Sequence, residues 1–81
     1  MITKEQLIEY DFKPFYDPNE VMWSWDMDYI VYDIKKQILY SHCEVDGDMV
    51  KLCIVKDIEK LIELIWFYFK IDIIEMNNQN K

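Results

Sequence analysis

The chain has no arginine and no alanine, and its 81 residues include one glycine, two prolines, two cysteines and one histidine. Each shortage excludes something. Without arginine there is no planar fork to read guanine edges or clamp phosphate, and the basic residues, all lysine, number 9 against 16 acidic for a net charge of −7. A protein that tracks a phosphate backbone needs a positive field to release counterions, so direct nucleic-acid binding is not expected. A single glycine, Gly47, rules out a glycine-rich phosphate loop or a dinucleotide fingerprint. Cys43 and Cys53 are too few for the disulfide framework of a small secreted domain. The opening Met1-Ile2-Thr3-Lys4-Glu5 lacks the basic-then-apolar order of a signal peptide. The longest apolar run, Leu64 to Phe69, falls far short of the ~20 residues that cross a bilayer. The expectation is a cytoplasmic protein with no membrane partner.

What is present is apolar and aromatic: 52% hydrophobic residues and 16% aromatics. That argues for a folded chain. At 10.0 kDa there is room for one domain with a thin core, burying roughly 60–65% of the surface its unfolded form exposes. We place that domain over residues 1–76, with residues 77–81 as a polar, flexible tail.

Thr3-Lys4-Glu5-Gln6 fits a capping box and predicts a short first helix. Leu7 and Ile8, with Tyr10 and Phe12, give it an apolar side, and Asp11 with Lys13-Pro14 ends it. Pro14 to Glu20 reads as a loop. Val21, Trp23 and Trp25 then alternate with Met22, Ser24 and Asp26 as a strand, and a second follows from Tyr29 to Asp33. Asp26-Met27-Asp28 is either a tight connection or the middle of one long bent strand. Ile38 to Val45 and Met49 to Val55 flank Asp46-Gly47-Asp48, a strong hairpin signal because a type I′ turn needs positive φ. With Asp46-Gly47 as the loop, Val45 faces Asp48, Cys43 faces Val50 and Leu39 faces Ile54. Leu39, Cys43, Val50, Leu52 and Ile54 then share one face, and Tyr40, His42, Lys51 and Cys53 the other. That register keeps the two thiols apart and free.

Asp57 caps a longer last helix from Ile58, with Ile58, Leu61, Ile62, Ile65 and Phe69 as its stripe toward the sheet. Ile71 to Ile74 extends this helix or forms a short edge strand. The expected fold is α+β: an antiparallel sheet of three to four strands with a short N-terminal and a longer C-terminal helix on one face.

The chemistry-bearing residues are few. His42 sits between Ser41 and Cys43, but adjacent strand residues point to opposite faces and cannot form a triad. A Cys53–His42 pair on one face is geometrically open, yet nothing indicates a cleft or an oxyanion site. Zinc lacks a paired-cysteine motif and calcium lacks the remaining acidic ligands around Asp46 and Asp48. Asp26, Asp28 and Asp33 are a cluster of acids better explained as charges that discourage edge pairing than as a magnesium site. No catalytic residue, cofactor or metal is expected.

The run Trp66-Phe67-Tyr68-Phe69 is different, because a helix cannot direct four consecutive side chains into one core. Trp66 and Tyr68 are the candidate anchors for a partner or a second copy. Asp26, Asp28, Asp33, Asp46 and Asp48 are candidates for meeting a basic protein surface. A second reading is an oligomeric small-ligand sponge with a subunit-interface pocket lined by Trp23, Trp25, Tyr40 and His42.

Thr3-Lys4-Glu5-Gln6-Leu7-Ile8, Tyr32-Asp33-Ile34-Lys35-Lys36-Gln37 and Asp57-Ile58-Glu59-Lys60-Leu61-Ile62 resemble segments of small uncharacterised bacteriophage and mobile-element accessory proteins. The absence of alanine and the abundance of isoleucine, lysine, asparagine and tyrosine fit AT-rich coding DNA. The resemblance implies a short accessory protein and nothing more; the small size, the acidity, the absence of catalytic motifs and the surplus helix aromatics lead to the expectation that it binds and inhibits a host defence protein, in the manner of an anti-CRISPR.

Overall fold

A computed structural model describes residues 1–15, 18–25, 29–43 and 45–73. In chain order these form α1 (Lys4–Glu9), β1 (Lys13–Pro14), β2 (Met22–Trp25), β3 (Ile30–Asp33), β4 (Ile38–His42), β5 (Met49–Ile54) and α2 (Ile58–Phe69). The strands make one antiparallel meander, each pairing with the next. The α+β class and the two flanking helices match the sequence reading. The sheet, however, has five strands rather than three or four.

The extra strand is β1, which sequence reads partly as loop. Lys13 lies opposite Ser24, Pro14 lies opposite Trp23, and the Phe15 amide donates to the Met22 carbonyl at 2.8 Å. A proline has no amide to give, so it fits only at an edge such as this.

α1 is closed at both ends by its own sequence. The Thr3 hydroxyl accepts from the Gln6 amide at 3.3 Å while the Gln6 side chain accepts from the Thr3 amide at 3.0 Å, completing the capping box. At the other end Asp11 turns left-handed, its amide reaching the Ile8 carbonyl and the Phe12 amide reaching Leu7. This pair of bonds is a Schellman motif, and it brings Phe12 against Leu7 in the core. Ile8, expected on the apolar side, is instead exposed.

Trp25 pairs with Ile30, so β2 and β3 are two strands of a hairpin and not one long strand. The connection Asp26-Met27-Asp28 lies outside the described residues.

The β4–β5 register differs from the expected one. The Cys43 amide donates to the Asp48 carbonyl and the Gly47 amide to the Cys43 carbonyl, so the connection is longer than Asp46-Gly47 alone. Gly47 still supplies the positive φ, at 73°. Ser41 therefore faces Val50 and His42 faces Met49, while beyond a bulge at Leu52 Leu39 faces Cys53 and Ile38 faces Ile54. The bulge lets the consecutive Leu52 and Cys53 both pack on the core. Cys53 thus shares Leu39's side and not that of Tyr40 and His42, and Ile54 is exposed. Both thiols remain free, Cys43 at the exposed hairpin end and Cys53 half-buried.

One core holds the molecule together. Trp23, Trp25, Ile30, Tyr32 and Leu39, alternate residues of three adjacent strands, cluster with Leu7, Phe12, Leu61 and Ile65 from the helical side. Burying each such side chain contributes about 1.5–3 kcal/mol. α2 starts at the Asp57 cap, whose carboxylate accepts from the Glu59 amide at 2.9 Å. It stops at Lys70, which is left-handed at φ 58°. α2 does not continue directly: residues 71 and 72 have no regular structure, Ile73 is again helical, and Ile71 and Ile73 return to the core. Ile74 and the tail 77–81 lie outside the described residues.

A buried glutamine ties down the N-terminal residues. The Gln37 side chain accepts from the Ile2 amide at 2.8 Å and donates to the Ile2 and Ile34 carbonyls. It thereby replaces a missing strand partner and lets Ile2 bury completely.

Candidate functional site

Helical geometry decides which aromatics are left over. Successive residues of a helix are rotated by about 100°. With Leu61, Ile62 and Ile65 inward and Phe69 packed beside them, Phe67 must point away and Trp66 and Tyr68 must flank it. The exposures follow that order: Phe67 65%, Trp66 54% and Tyr68 42%. Phe67 is the most exposed of the run, a residue that the expectation of Trp66 or Tyr68 at the rim passed over.

The three rings are organised. Phe67 and Tyr68 meet edge-to-face with centroids 5.3 Å apart. The Lys70 ammonium lies 5.7 Å from the Trp66 ring centroid and 5.6 Å from that of Phe67, within cation–π range of both. Trp66 and Phe67 stand four and three residues before Lys70, the spacing at which helix side chains meet.

The acids divide. Asp46 and Asp48 are exposed at the β4–β5 hairpin end, with the Cys43 thiol 3.8 Å from an Asp46 carboxylate oxygen. Asp33 is not a surface acid: it is 6% exposed, and its Oδ1 accepts from the Lys36 amide at 2.8 Å to hold the β3–β4 turn. Asp26 and Asp28 lie outside the described residues.

The four residues considered for a small ligand do not converge. Trp23 and Trp25 are buried on the helix side of the sheet, and the Trp23 indole N–H donates to the Glu20 carbonyl at 2.7 Å. Tyr40 and His42 are on the opposite side by strand alternation. His42 meets the Phe15 ring edge-to-face at 5.0 Å. Phe15 follows β1 and His42 ends β4, so this contact spans the intervening strands on the face away from the helices. Ser24 and Val31 between them are correspondingly buried. A pocket lined by all four would have to pass through the sheet.

The same alternation separates His42 from Cys53. Burial pushes the Cys53 thiol above its ordinary range, which disfavours the nucleophilic thiolate. Among the described residues no cluster of three His, Cys, Asp or Glu side chains could hold a metal ion, and no helix is long and apolar enough to cross a membrane. A groove of about 450 Å³ lies beside α1, lined by Ile8, Phe12, Lys13, Pro14, Glu20 and Trp23. The Lys4–Glu20 ion pair at 3.5 Å lies on its rim, exposed and worth little.

No protein-family model, curated protein or solved structure matches this chain.

Proposed function

We propose that the chain is a small acidic, non-enzymatic protein-interaction module that engages its partner through the outer side of α2. The observation that carries this reading is the exposure of three adjacent rings, Trp66, Phe67 and Tyr68, on a helix whose opposite side already fills the core. Aromatics are typical interface anchors, and an apolar surface of this kind on so small a protein marks an interaction site. The net charge of −7 sets the sign of the partner: a basic surface, steered electrostatically, with Asp46 and Asp48 contributing at the hairpin end. Covering a basic groove would compete with nucleic acid for it. The biological role proposed is therefore that of a phage or mobile-element product inhibiting a host defence protein in the cytoplasm, where two free thiols stay reduced. Homodimerisation through α2 is the other use of the same rings.

Size-exclusion chromatography with light scattering across ionic strength, on the wild type and on Trp66→Gln/Phe67→Gln/Tyr68→Gln, tests the surface. A dimer that the triple variant splits assigns the rings to self-association. A monomer near 10.0 kDa directs the search to heterologous proteins, captured with the wild type and with the triple variant as control. The proposal expects specific capture to be lost in the triple variant and weakened at least ~10-fold in Asp46→Lys/Asp48→Lys. Equal behaviour of all three proteins contradicts it.

A further inference from the structure

We infer that the Trp66–Phe67 pair is a seat for a cationic side chain, lysine or arginine, from a basic protein partner, and that Lys70 is the chain's own, displaceable occupant of it. The inference rests on the proposed interaction role of α2 and names the chemistry that role would recognise.

Three observations lead there. First, a cation already occupies the position: the Lys70 ammonium is shared between the two rings at 5.7 and 5.6 Å from their centroids. Ring faces attract a cation through their quadrupole, so a guanidinium or ammonium from outside meets the same attraction. Second, Phe67 is buttressed from its side by Tyr68, edge-to-face at 5.3 Å and 84°, which limits the ring's freedom before any partner arrives. Third, the field favours a cation. The whole chain carries −7, and the exposed Glu63 lies one helical turn before both rings, where its only described ion-pair partner is the equally exposed Lys60 at 3.6 Å. An exposed pair of this type is weak and leaves the carboxylate available.

A competing account is purely local. A lysine at a helix C-terminus is stabilised by the exposed carbonyls there, and the left-handed turn at Lys70 could lay its side chain back over the rings for that reason alone. The two accounts differ in whether the rings bind a cation supplied from solution.

The test uses the full chain, labelled with nitrogen-15, titrated with acetyl-arginine amide as probe and with acetyl-citrulline amide as its neutral isostere. The Trp66 indole N–H and the Phe67 and Tyr68 amides are followed by NMR. The expected result is a saturable shift at these groups with the arginine probe and none with citrulline. In Lys70→Gly, which removes the occupant and suits the left-handed backbone, binding should tighten about two- to five-fold. Lys56→Ala, at an exposed position before α2, changes the net charge by the same amount without touching the Glu63 pair and should show no more than half that gain. The inference is overturned if both probes shift the signals alike, if neither does, or if Lys56→Ala tightens binding as much as Lys70→Gly. A failed titration removes the cation seat alone, since the light-scattering and capture measurements on the triple variant judge the interaction surface independently.

Discussion

Gln37 sits at a left-handed φ of 57° with its side chain buried, two features that oppose each other in an ordinary turn residue. Its position is explained by what it connects. Its amide group clamps Ile2, its own carbonyl accepts from the Val55 amide at 2.9 Å, and the Val55 carbonyl accepts from the Tyr32 hydroxyl at 2.6 Å. The chain before α1, the β3–β4 turn, the approach to α2 and the central strand are thus linked through one series of hydrogen bonds. Gln37→Ala should cost about 2–3 kcal/mol in urea unfolding by leaving the Ile2 amide and two carbonyls without partners. It should also speed exchange of the Ile2 amide, and a cost below ~0.5 kcal/mol would show that water replaces the clamp. Tyr32 gives a pH signature. Burial first, then the charge of Asp33 and that of Cys53, hold its hydroxyl well above the ordinary tyrosine range. The folded state keeps this proton longer than the unfolded one, so the corresponding stability is complete below about pH 10 and falls as pH rises beyond it. Cys53 adds a loss of the same sign from its own lower range upward. In Tyr32→Phe the decline above pH 10 should flatten while the part due to Cys53 persists; an unchanged slope would contradict this assignment.

The elements were legible in proportion to how local their causes are. Thr3 and Gln6 write the start of α1, Asp57 that of α2, and the periodicities of Trp23/Trp25 and of Leu61/Ile65 name the faces that meet in the core. Pairing was less legible. β1 is set by contact with Ser24 and Trp23 from another segment, and a two-residue strand carries no alternation of its own. The β5 register turned on a bulge at Leu52, where one residue more or less reverses every side chain beyond it. The Asp-Gly signal located the turn correctly and misjudged its length. In the candidate site, the aromatic run points to Trp66 and Tyr68, whereas Asp33 departs from the surface acid expected: its bond to the Lys36 amide three residues on is a local turn signal, but its burial depends on packing from elsewhere in the chain. The scarcity of glycine also acts at this level: Asp11, Glu20, Gln37 and Lys70 all adopt positive φ. Such backbone costs about 1–2 kcal/mol in a non-glycine residue, offset by the flexibility glycine adds to the unfolded chain. Asp11→Gly and Lys70→Gly should therefore each raise stability by about 0.5–1 kcal/mol, and a loss on either would mean that the side chain outweighs the backbone. Thermal or urea unfolding reads the difference directly.

At the scale of the whole molecule, the small core and the exposed outer side of α2 are two aspects of one geometry. The described residues set one layer of helix against one sheet. A helix in that layer has one inward side, and α2 carries aromatic residues around more than that side. If Trp66, Phe67 and Tyr68 serve a partner, the fold must not depend on them; if they are core, the proposed function has no surface to act through. Urea denaturation of Trp66→Gln/Phe67→Gln/Tyr68→Gln beside Ile65→Ala separates the two most directly. The account predicts that Ile65→Ala, which empties a fully buried site, loses about 2–5 kcal/mol while the triple variant stays within about 1 kcal/mol of wild type. A triple variant as damaged as Ile65→Ala would show that the rings stabilise the chain that carries them, and would contradict the account.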